Sequence, residues 1–335
     1  HTSTSPLYPV IAACDIASKM MEGKAGESLV QEMHDESLAF RRAMLQIESD
    51  LDKKDWWFKV WQPEVVVKNL QKASTHIPPA QPKDWQLRPD GKWHGFDQLS
   101  DNFVMIDPIK VTLTMPGLEM DGQMGEQGIP ASVVSKFLWS RGIVVEKTNL
   151  YSLLVLFSMG ITKGKWGTLV AELMSFKQHY EANTPLALVL PDLVANHPQV
   201  YADTGLRELC DRLHQFNREH NVPKVMREMY VEQPDMAMIP AEAYNQLVQG
   251  NVEKVEVKEL KGRIAATMLV PYPPGIPLIM PGELYNEKAD AIFNYLRIAE
   301  EQDAQIPGFE SDVHGREVEV DATGQRRYVV EVLKN

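Results

Sequence analysis

Residues 130–160 have the sequence PASVVSKFLWSRGIVVEKTNLYSLLVLFSMG. Pro130 is favoured in the first turn of a helix, so PASVVSKFLW is predicted to be helical. The apolar, β-branched segments 141–148 and 150–160 are predicted to be strands. Another helix is predicted over 163–183. Helices that alternate with strands in this way predict an α/β layer.

The sequence predicts more regular structure on both sides of this layer. The additional predicted helices cover residues 6–21, 26–51, 205–220, 223–230, 240–249 and 287–303. The additional predicted strands cover residues 55–64, 103–117 and 326–333, with two more around the Pro/Gly turn in 263–283. Small and apolar residues occur all around the first helix, which predicts that it is buried on several sides.

The composition excludes several classes of protein. The chain has 335 residues, enough for two domains of ~100–200 residues each. Its net charge of −12, from 46 acidic and 34 basic residues, disfavours a nucleic-acid partner. No apolar run approaches the ~18 residues of a membrane-spanning helix. Two cysteines, Cys14 and Cys210, are too few for a disulfide framework, so the expected location is a reducing cytoplasm.

The tryptophans are distributed unevenly along the chain. All seven lie between Trp56 and Trp166, and a cluster of prolines follows over residues 185–198. This change in composition predicts a domain boundary near residues 185–200.

Glu146 is the carboxylate that its position singles out. It follows the apolar residues 143–145 at the end of a predicted strand, and strand ends in α/β layers supply site residues. A carboxylate at such a place is able to bind a cation or to move a proton. The alternative is an ordinary surface carboxylate.

Three other motifs are predicted to be structural. A buried lysine is able to form a Schiff base, but strand alternation places Lys110 opposite Val111 and therefore toward solvent. His94 is expected to make local hydrogen bonds rather than to bind a metal. The pair of Asp312 and His314 lacks a third ligand, so we expect a turn there and no metal site.

The chain begins with HTSTS, residues 1–5, ahead of the first predicted helix. Hydroxyl groups and backbone N–H groups at such a place suit an anion such as phosphate, or they form an ordinary N-cap. The first residue is not Met, and no signal-peptide pattern is present. We therefore expect the chain to be a fragment or a cleavage product.

Nine segments, in order from end to end, resemble a single family. They are HTSTSP, DWWFKVWQPE, WHGF, DPIKVTLTMPG, GIPASVVSKFL, GIVVEKT, LVLFSMGITKGKW, LVPYPPGIPLIMPGE and PGFESDVHG. Together they are similar to the carboxy-terminal half of the bacterial basic amino-acid decarboxylases, which act on lysine, arginine and ornithine. The lysine and arginine branches are the most similar.

This resemblance implies a pyridoxal 5'-phosphate enzyme on the aminotransferase-like fold type I, with roles in acid stress or polyamine synthesis. It implies that residues 1–22 are the tail of the cofactor-binding major domain. Residues 23–190 would be the aminotransferase-like small domain and residues 191–335 the carboxy-terminal domain, both of α+β type. It also implies a tight homodimer, which the lysine and arginine enzymes stack into a decamer.

The resemblance assigns roles to single residues. Ser3 matches the hydroxyl residue that reaches the cofactor phosphate from the neighbouring subunit, and Thr2 lies beside it. Glu146 matches the acidic residue near the substrate, which favours the functional alternative for that carboxylate. The family's Schiff-base lysine lies in a Ser-x-His-Lys motif upstream of HTSTSP, and no such motif occurs in this sequence. The chain alone is therefore expected to be inactive and to need the remaining, cofactor-binding part of the same protein.

The sequence thus predicts the carboxy-terminal portion of a decarboxylase that converts lysine to cadaverine and carbon dioxide. Arginine or ornithine is the alternative substrate, because Glu146 suits an ammonium or a guanidinium group. A non-catalytic fragment that acts as an oligomerisation or regulatory module is the alternative from another class. Neither a metal site, a nucleic-acid partner nor a membrane partner is expected.

Overall fold

Helices and antiparallel strands make up the computed structural model, which describes residues 7–52, 55–72, 81–96, 98–101, 104–320 and 326–334. In chain order the helices and strands are α1 (Tyr8–Met20), α2 (Gly23–Asp50), β1 (Lys59–Val60), α3 (Glu64–Lys72), β2 (Lys110–Thr114), α4 (Ala131–Trp139), β3 (Lys147–Thr148), β4 (Ser152–Leu156), α5 (Lys163–Glu181), α6 (Leu186–Val189), α7 (Pro191–Asn196), α8 (Pro198–Tyr201), α9 (Leu206–Glu219), α10 (Val222–Glu228), α11 (Pro240–Val248), β5 (Val252–Glu256), β6 (Val270–Tyr272), α12 (Asp290–Gln305), β7 (Asp312–His314), β8 (Arg316–Val320) and β9 (Arg326–Leu333). The predicted mixture of helices and sheet, of α/β class, is confirmed.

Contacts between residues divide the chain into two compact units. The described residues of the first unit fall within 1–116, 142–146 and 152–177, and those of the second fall within 117–141, 147–151 and 178–335. The division passes through α5. The domain boundaries predicted after residues 22 and 190 stay predictions.

Strands β1, β2 and β4 lie side by side in the first unit, with β2 between its two antiparallel partners. Along β2, Val111 and Leu113 are fully buried, whereas Lys110 is exposed. Side chains alternate between the two faces of a strand, so one face of β2 meets the core and the other meets water. The prediction that Lys110 faces solvent is confirmed.

Helix α2 supplies much of the core of the first unit. The ring of Phe40 packs against Phe157 at 5.3 Å and against Trp166 of α5 at 6.0 Å, measured between ring centroids. Two residues earlier, Leu38 joins a second cluster that contains Trp85. The aromatic rings bury large apolar areas, which stabilises the unit beyond what the short strands supply.

Helix α1 forms where it was predicted, but none of its residues is buried. Val10, Ile11 and Ile16 are more than half exposed. The prediction of a helix buried on several sides is therefore wrong for the described chain. An apolar pattern shows that a helix has a surface to cover, and it does not show what covers it.

Among the described residues, no helix combines the length and the apolarity needed to cross a bilayer.

The predicted strand 141–148 is mostly wrong. Only Lys147–Thr148 is a strand, and Val144 is 71% exposed. The β-branched residues before Glu146 make the segment look like a strand. Their preference for strands is expressed only where a neighbouring strand and a core are available to them.

The second unit contains the antiparallel sheet β5–β9–β8. Strand β9 is central and buries Tyr328, Val329 and Val330. Helix α12 packs near it, and the Tyr328 hydroxyl donates to the carboxylate of Asp303 on α12. The helix predicted over 287–303 and the strand predicted over 326–333 are both confirmed.

The predicted pair of strands in 263–283 is half right. Strand β6 forms and pairs with β7. The second predicted strand makes only isolated bridges, such as Leu269 with Ile279. The physical reason is the run Pro273, Pro274, Pro277 and Pro281, because proline lacks the N–H group that a ladder needs.

Candidate functional site

Glu146 lies in a bend directly before β3, and its side chain is exposed. Its backbone N–H donates to the Leu154 carbonyl at 2.9 Å. Leu154 belongs to β4, where it pairs with Thr112 of β2. The fully buried neighbour Leu153 anchors β4 in the core. The carboxylate of Glu146 is thus presented to solvent from a backbone that a packed sheet holds in place.

The start of β2 is fixed by a buried guanidinium group, that of Arg41 on α2. Its nitrogens donate to the Gln62 side-chain oxygen at 3.1 Å and to the carbonyls of Pro108 at 3.0 Å and Lys110 at 3.4 Å. Ser37, one turn earlier, donates to the same Pro108 carbonyl at 2.5 Å. These bonds tie α2 to the sheet that positions Glu146.

The surroundings of Arg41 perturb its ionisation. Burial lowers the pKa of Arg41 to about 9, and the nearby carboxylate of Asp107 opposes that shift. The guanidinium carbon lies 5.0 Å from the ring centroid of Trp85, at a distance typical of a cation–π contact. Arg41 therefore stays protonated at neutral pH and remains a donor to the carbonyl groups around it.

The other two predicted site residues, Thr2 and Ser3, lie outside the described residues. Their predicted contact with a phosphate stays a prediction.

The residues predicted to be structural are found as follows. His94 is buried, its Nε2 lies 2.9 Å from the Arg88 carbonyl, and its Nδ1 accepts from the Phe96 N–H at 3.1 Å. The prediction of local hydrogen bonds for His94 is confirmed. The turn predicted at Asp312 and His314 is wrong, because both residues belong to β7, which pairs with β6. Their side chains form an exposed pair, 3.6 Å apart. Within the described part of the chain, no group of three or more His, Cys, Asp and Glu residues is arranged to hold a metal ion.

A buried polar network in the second unit was missed by sequence reasoning. The Nε2 of His214 lies 3.0 Å from the Gly125 carbonyl, so that nitrogen carries the proton and donates. The unprotonated Nδ1 accepts from the Tyr151 hydroxyl at 2.7 Å. Asn217 in turn donates to the Tyr151 oxygen at 3.2 Å. The network joins α9 to the segments around residues 125 and 151.

A signal for this network does exist in the sequence. His214 and Asn217 fall on the apolar face of α9, which also carries Leu206, Leu209, Cys210 and Leu213. Polar side chains on such a face are buried, and buried polar groups need partners. The pattern predicts that partners exist, although it does not identify Tyr151 or Gly125.

Burial also shifts the ionisation of this network. Burial lowers the pKa of His214, and the positive charge of Arg218 adds to that shift, while the bond to Gly125 opposes it. Burial raises the pKa of Tyr151 to about 12, although the donor group of Asn217 opposes that change. Both groups are therefore neutral at pH 7, as their hydrogen bonds require.

We expect the second unit to lose stability as the pH falls below about 6.5. The folded pKa of His214 lies below its ordinary value of 6.5, so the unfolded chain takes up this proton first. The stabilisation is complete above pH 6.5 and is lost on acidification toward the folded pKa. Urea unfolding at several pH values, followed by far-UV circular dichroism, measures the slope. This slope reports the number of protons taken up on unfolding, and His214→Gln should reduce that number by up to about one. Equal slopes in the wild type and in His214→Gln would contradict the assignment.

Gly128 packs directly against the His214 ring, and we expect Gly128→Ala to destabilise the second unit by about 1–3 kcal/mol. A Cβ added at Gly128 would lie 2.3 Å from His214 Nδ1, closer than any real contact allows. Gly167→Ala is the matched control, because an added Cβ there meets no described atom within 4 Å outside its own helix. That control should stabilise α5 by up to about 1 kcal/mol. Thermal unfolding checks both variants, and equal effects would refute the close packing.

Comparison with known proteins identifies the protein family of the chain. The chain belongs to the Orn/Lys/Arg decarboxylase family. Residues 1–165 match the model of the Orn/Lys/Arg decarboxylase major domain, and residues 223–334 match that of the carboxy-terminal domain. The family resemblance seen in the sequence is confirmed.

Two curated proteins of this family are similar to nearly the whole chain. The chain is 53% identical, over 334 residues, to lysine decarboxylase LdcA of Pseudomonas aeruginosa. The alignment covers 100% of this chain and 43% of that protein. It is 42% identical to the biodegradative arginine decarboxylase of Escherichia coli K12, over 95% of this chain and 43% of that protein. The chain therefore spans less than half the length of these curated relatives.

Solved structures support the same grouping. The structure of lysine decarboxylase A from Pseudomonas aeruginosa superposes with a TM-score of 0.91 at 52% identity, covering 100% of this chain and 43% of that one. The constitutive lysine decarboxylase of Escherichia coli superposes with a TM-score of 0.87 at 37% identity, covering 100% and 44%. The fold of the described residues is thus that of the corresponding part of lysine decarboxylases.

Proposed function

We propose that these residues form part of a pyridoxal-phosphate-dependent decarboxylase that converts lysine to cadaverine and carbon dioxide, with uptake of a proton. The observation that carries this proposal is the 53% identity to lysine decarboxylase LdcA over the whole chain. The activity is a property of the protein to which these residues belong, because they span 43% of that relative.

Within this proposal, Glu146 binds the distal ammonium group of the substrate. Its side chain is exposed, and its backbone is held by the bond to Leu154. A carboxylate–ammonium hydrogen bond is stronger than one between neutral groups and gives selectivity for a basic amino acid. Glu146 is a binding and orienting residue in this role.

The cofactor is part of the same proposal. Pyridoxal phosphate, when bound, supplies the electron sink that decarboxylation needs. We propose that Ser3, with Thr2 beside it, binds the phosphate across a dimer interface, since hydroxyl groups suit phosphate oxygens. The Schiff-base lysine would come from another part of the protein, because no Ser-x-His-Lys motif occurs in these 335 residues.

The surface of α1 supports the proposed partners. Its exposed apolar residues include Val10, Ile11 and Ile16. Apolar surface of this kind is covered in most stable assemblies. We propose that it packs against the cofactor-binding part of the same protein within a homodimer, and that dimers stack into a decamer in the cytoplasm.

Arginine is the second candidate substrate. The observation in its favour is the 42% identity to a biodegradative arginine decarboxylase. Glu146 accepts hydrogen bonds from an ammonium or a guanidinium group, so this residue alone does not choose between them.

The substrate is tested by assaying the full-length protein with lysine, arginine and ornithine. We expect the highest kcat/KM with lysine. A preference for arginine or ornithine would replace the proposed substrate, and no release of carbon dioxide from any of the three would refute the activity.

A non-catalytic module is the candidate from another class, favoured by the absence of a Ser-x-His-Lys motif from this sequence. We expect the 335-residue chain to bind no pyridoxal phosphate that borohydride fixes covalently, and the full-length protein to bind it. A full-length protein that also fails to fix the cofactor would favour the non-catalytic module.

A further inference from the structure

The junction between α12 and the sheet β5–β9–β8 contains a buried carboxylate, that of Asp303. This residue lies in the last turn of α12, and its side chain is 2% exposed. The Tyr328 hydroxyl of β9 donates to its Oδ2. Its Oδ1 has no hydrogen-bond partner in the described part of the chain. An ionised carboxylate is able to accept about four hydrogen bonds, so the charged form of Asp303 is poorly satisfied here.

The counter-ion of Asp303 is Arg316 on β8, and it compensates only part of this charge. Its Nη1 lies 3.6 Å from the Oδ2 of Asp303, which is too far for a hydrogen bond. Arg316 also has other partners. Its Nη2 donates to the Ser311 carbonyl at 3.0 Å, and its guanidinium carbon lies 3.7 Å from the centroid of the Tyr328 ring. The guanidinium group therefore keeps stabilising contacts even when Asp303 is neutral.

Other charged and titratable groups surround this pair on several elements. Glu310, in the segment before β7, and Arg326 of β9 bind each other at 3.0 Å, so they act on Asp303 in opposite directions. Tyr295 of α12 interacts with Asp303 and with Tyr230, which follows α10. Burial raises the pKa of both phenols, so they are neutral at pH 7.

The same surroundings set the direction in which Asp303 titrates. Burial raises the pKa of Asp303, while the bond from Tyr328 and the charge of Arg316 oppose that shift. A carboxyl group whose pKa is higher in the folded chain than in the unfolded chain stabilises the fold when it takes up its proton. This stabilisation is complete below the ordinary pKa of 3.8 and is lost as the pH rises through the folded pKa. Its sign is opposite to that of His214.

We propose that Asp303 is a buried proton-binding site that fastens α12 to strands β8 and β9 more tightly in acid. In the ionised form, one oxygen lacks a donor and the cation lies beyond hydrogen-bond distance. In the neutral form, the cost of desolvation falls, because an uncharged carboxyl group is buried at far lower cost than a carboxylate. The proton enters through local openings of the helix end, which need no permanent channel. This inference concerns the fold and does not depend on the proposed function.

Hydrogen–deuterium exchange of the full-length protein, read by mass spectrometry on peptides that cover β8 and β9, tests the proposal. Asp303→Asn keeps the shape of the side chain but takes up no proton. The protection factor is the factor by which the fold slows exchange. Its ratio, wild type over Asp303→Asn, should rise on acidification from about pH 7 to about pH 4, by up to about tenfold per pH unit. His214 is present in both proteins, so its contribution cancels. A ratio that stays constant or falls would overturn the proposal.

Asp290→Asn is the matched control, because Asp290 also lies on α12 and its side chain is 62% exposed. The ratio of wild type to this variant should not change with pH, and a rise as large as that with Asp303→Asn would also overturn the proposal. Arg316→Met keeps the test decisive if Asp303→Asn does not fold. It removes the charge that favours the ionised form, so the gain in protection should begin at a higher pH than in the wild type. An onset at the same or a lower pH would contradict the proton site.

Discussion

Glu146→Gln in the full-length protein is expected to lower kcat/KM for lysine by about 10- to 100-fold. Glutamine keeps the size of the side chain and can still accept a hydrogen bond, but it removes the negative charge. A hydrogen bond to a charged group contributes about 1.5–3 kcal/mol, which corresponds to this range of rates. Steady-state kinetics with lysine measure the change.

The control for this prediction is Glu64→Gln. Glu64 is also exposed, and its ion pair with Lys68 at 3.6 Å is of the surface type that contributes little. Glu146→Asp keeps the charge and should recover part of the lost activity. Unchanged kinetics in Glu146→Gln would refute the role proposed for this carboxylate, whatever the substrate.

Arg41→Met is expected to reduce the free energy of unfolding of the first unit by about 3 kcal/mol. The variant leaves the buried acceptors of Gln62, Pro108 and Lys110 without these donors, and each unsatisfied buried acceptor costs about 1–3 kcal/mol. Methionine also removes the cost of burying a cation, which raises the stability of the variant. The size of this cost is reflected in the pKa of Arg41, which burial lowers to about 9. The loss of several donors outweighs this relief.

Tryptophan fluorescence during urea unfolding is a suitable measurement for Arg41→Met, because every tryptophan except Trp139 belongs to the first unit. The exposed Arg88→Met is the matched control and should change stability by less than about 0.5 kcal/mol. Equal stability of Arg41→Met and wild type would mean that the buried bonds contribute no net stabilisation.

Arg41 and Glu146 are connected through the sheet of the first unit. Arg41 fixes the start of β2, β2 pairs with β4, and Leu154 of β4 holds the backbone of Glu146. A loosened sheet would therefore also displace the carboxylate. We expect Arg41→Met to lower both stability and activity, whereas Glu146→Gln should lower activity alone, since its side chain is exposed.

The sequence by itself determined the positions of the long helices and of β2, β4 and β9, because their periodicity and capping residues are local properties. It also determined that Lys110 faces solvent, that His94 is satisfied locally and that the chain resembles the basic amino-acid decarboxylases. It singled out Glu146 from its place after an apolar run. Each of these inferences needs only neighbours in the sequence or an ordered set of motifs.

Only the tertiary structure decided which apolar segments are paired or covered. Residues 143–145 have the composition of a strand but no ladder, and α1 has the composition of a buried helix but an exposed surface. The partners of Arg41 and His214 lie far from them in the chain, as Pro108 and Tyr151 do. Burial, hydrogen-bond partners and the resulting pKa shifts depend on contacts between distant residues, and local sequence patterns do not specify those contacts.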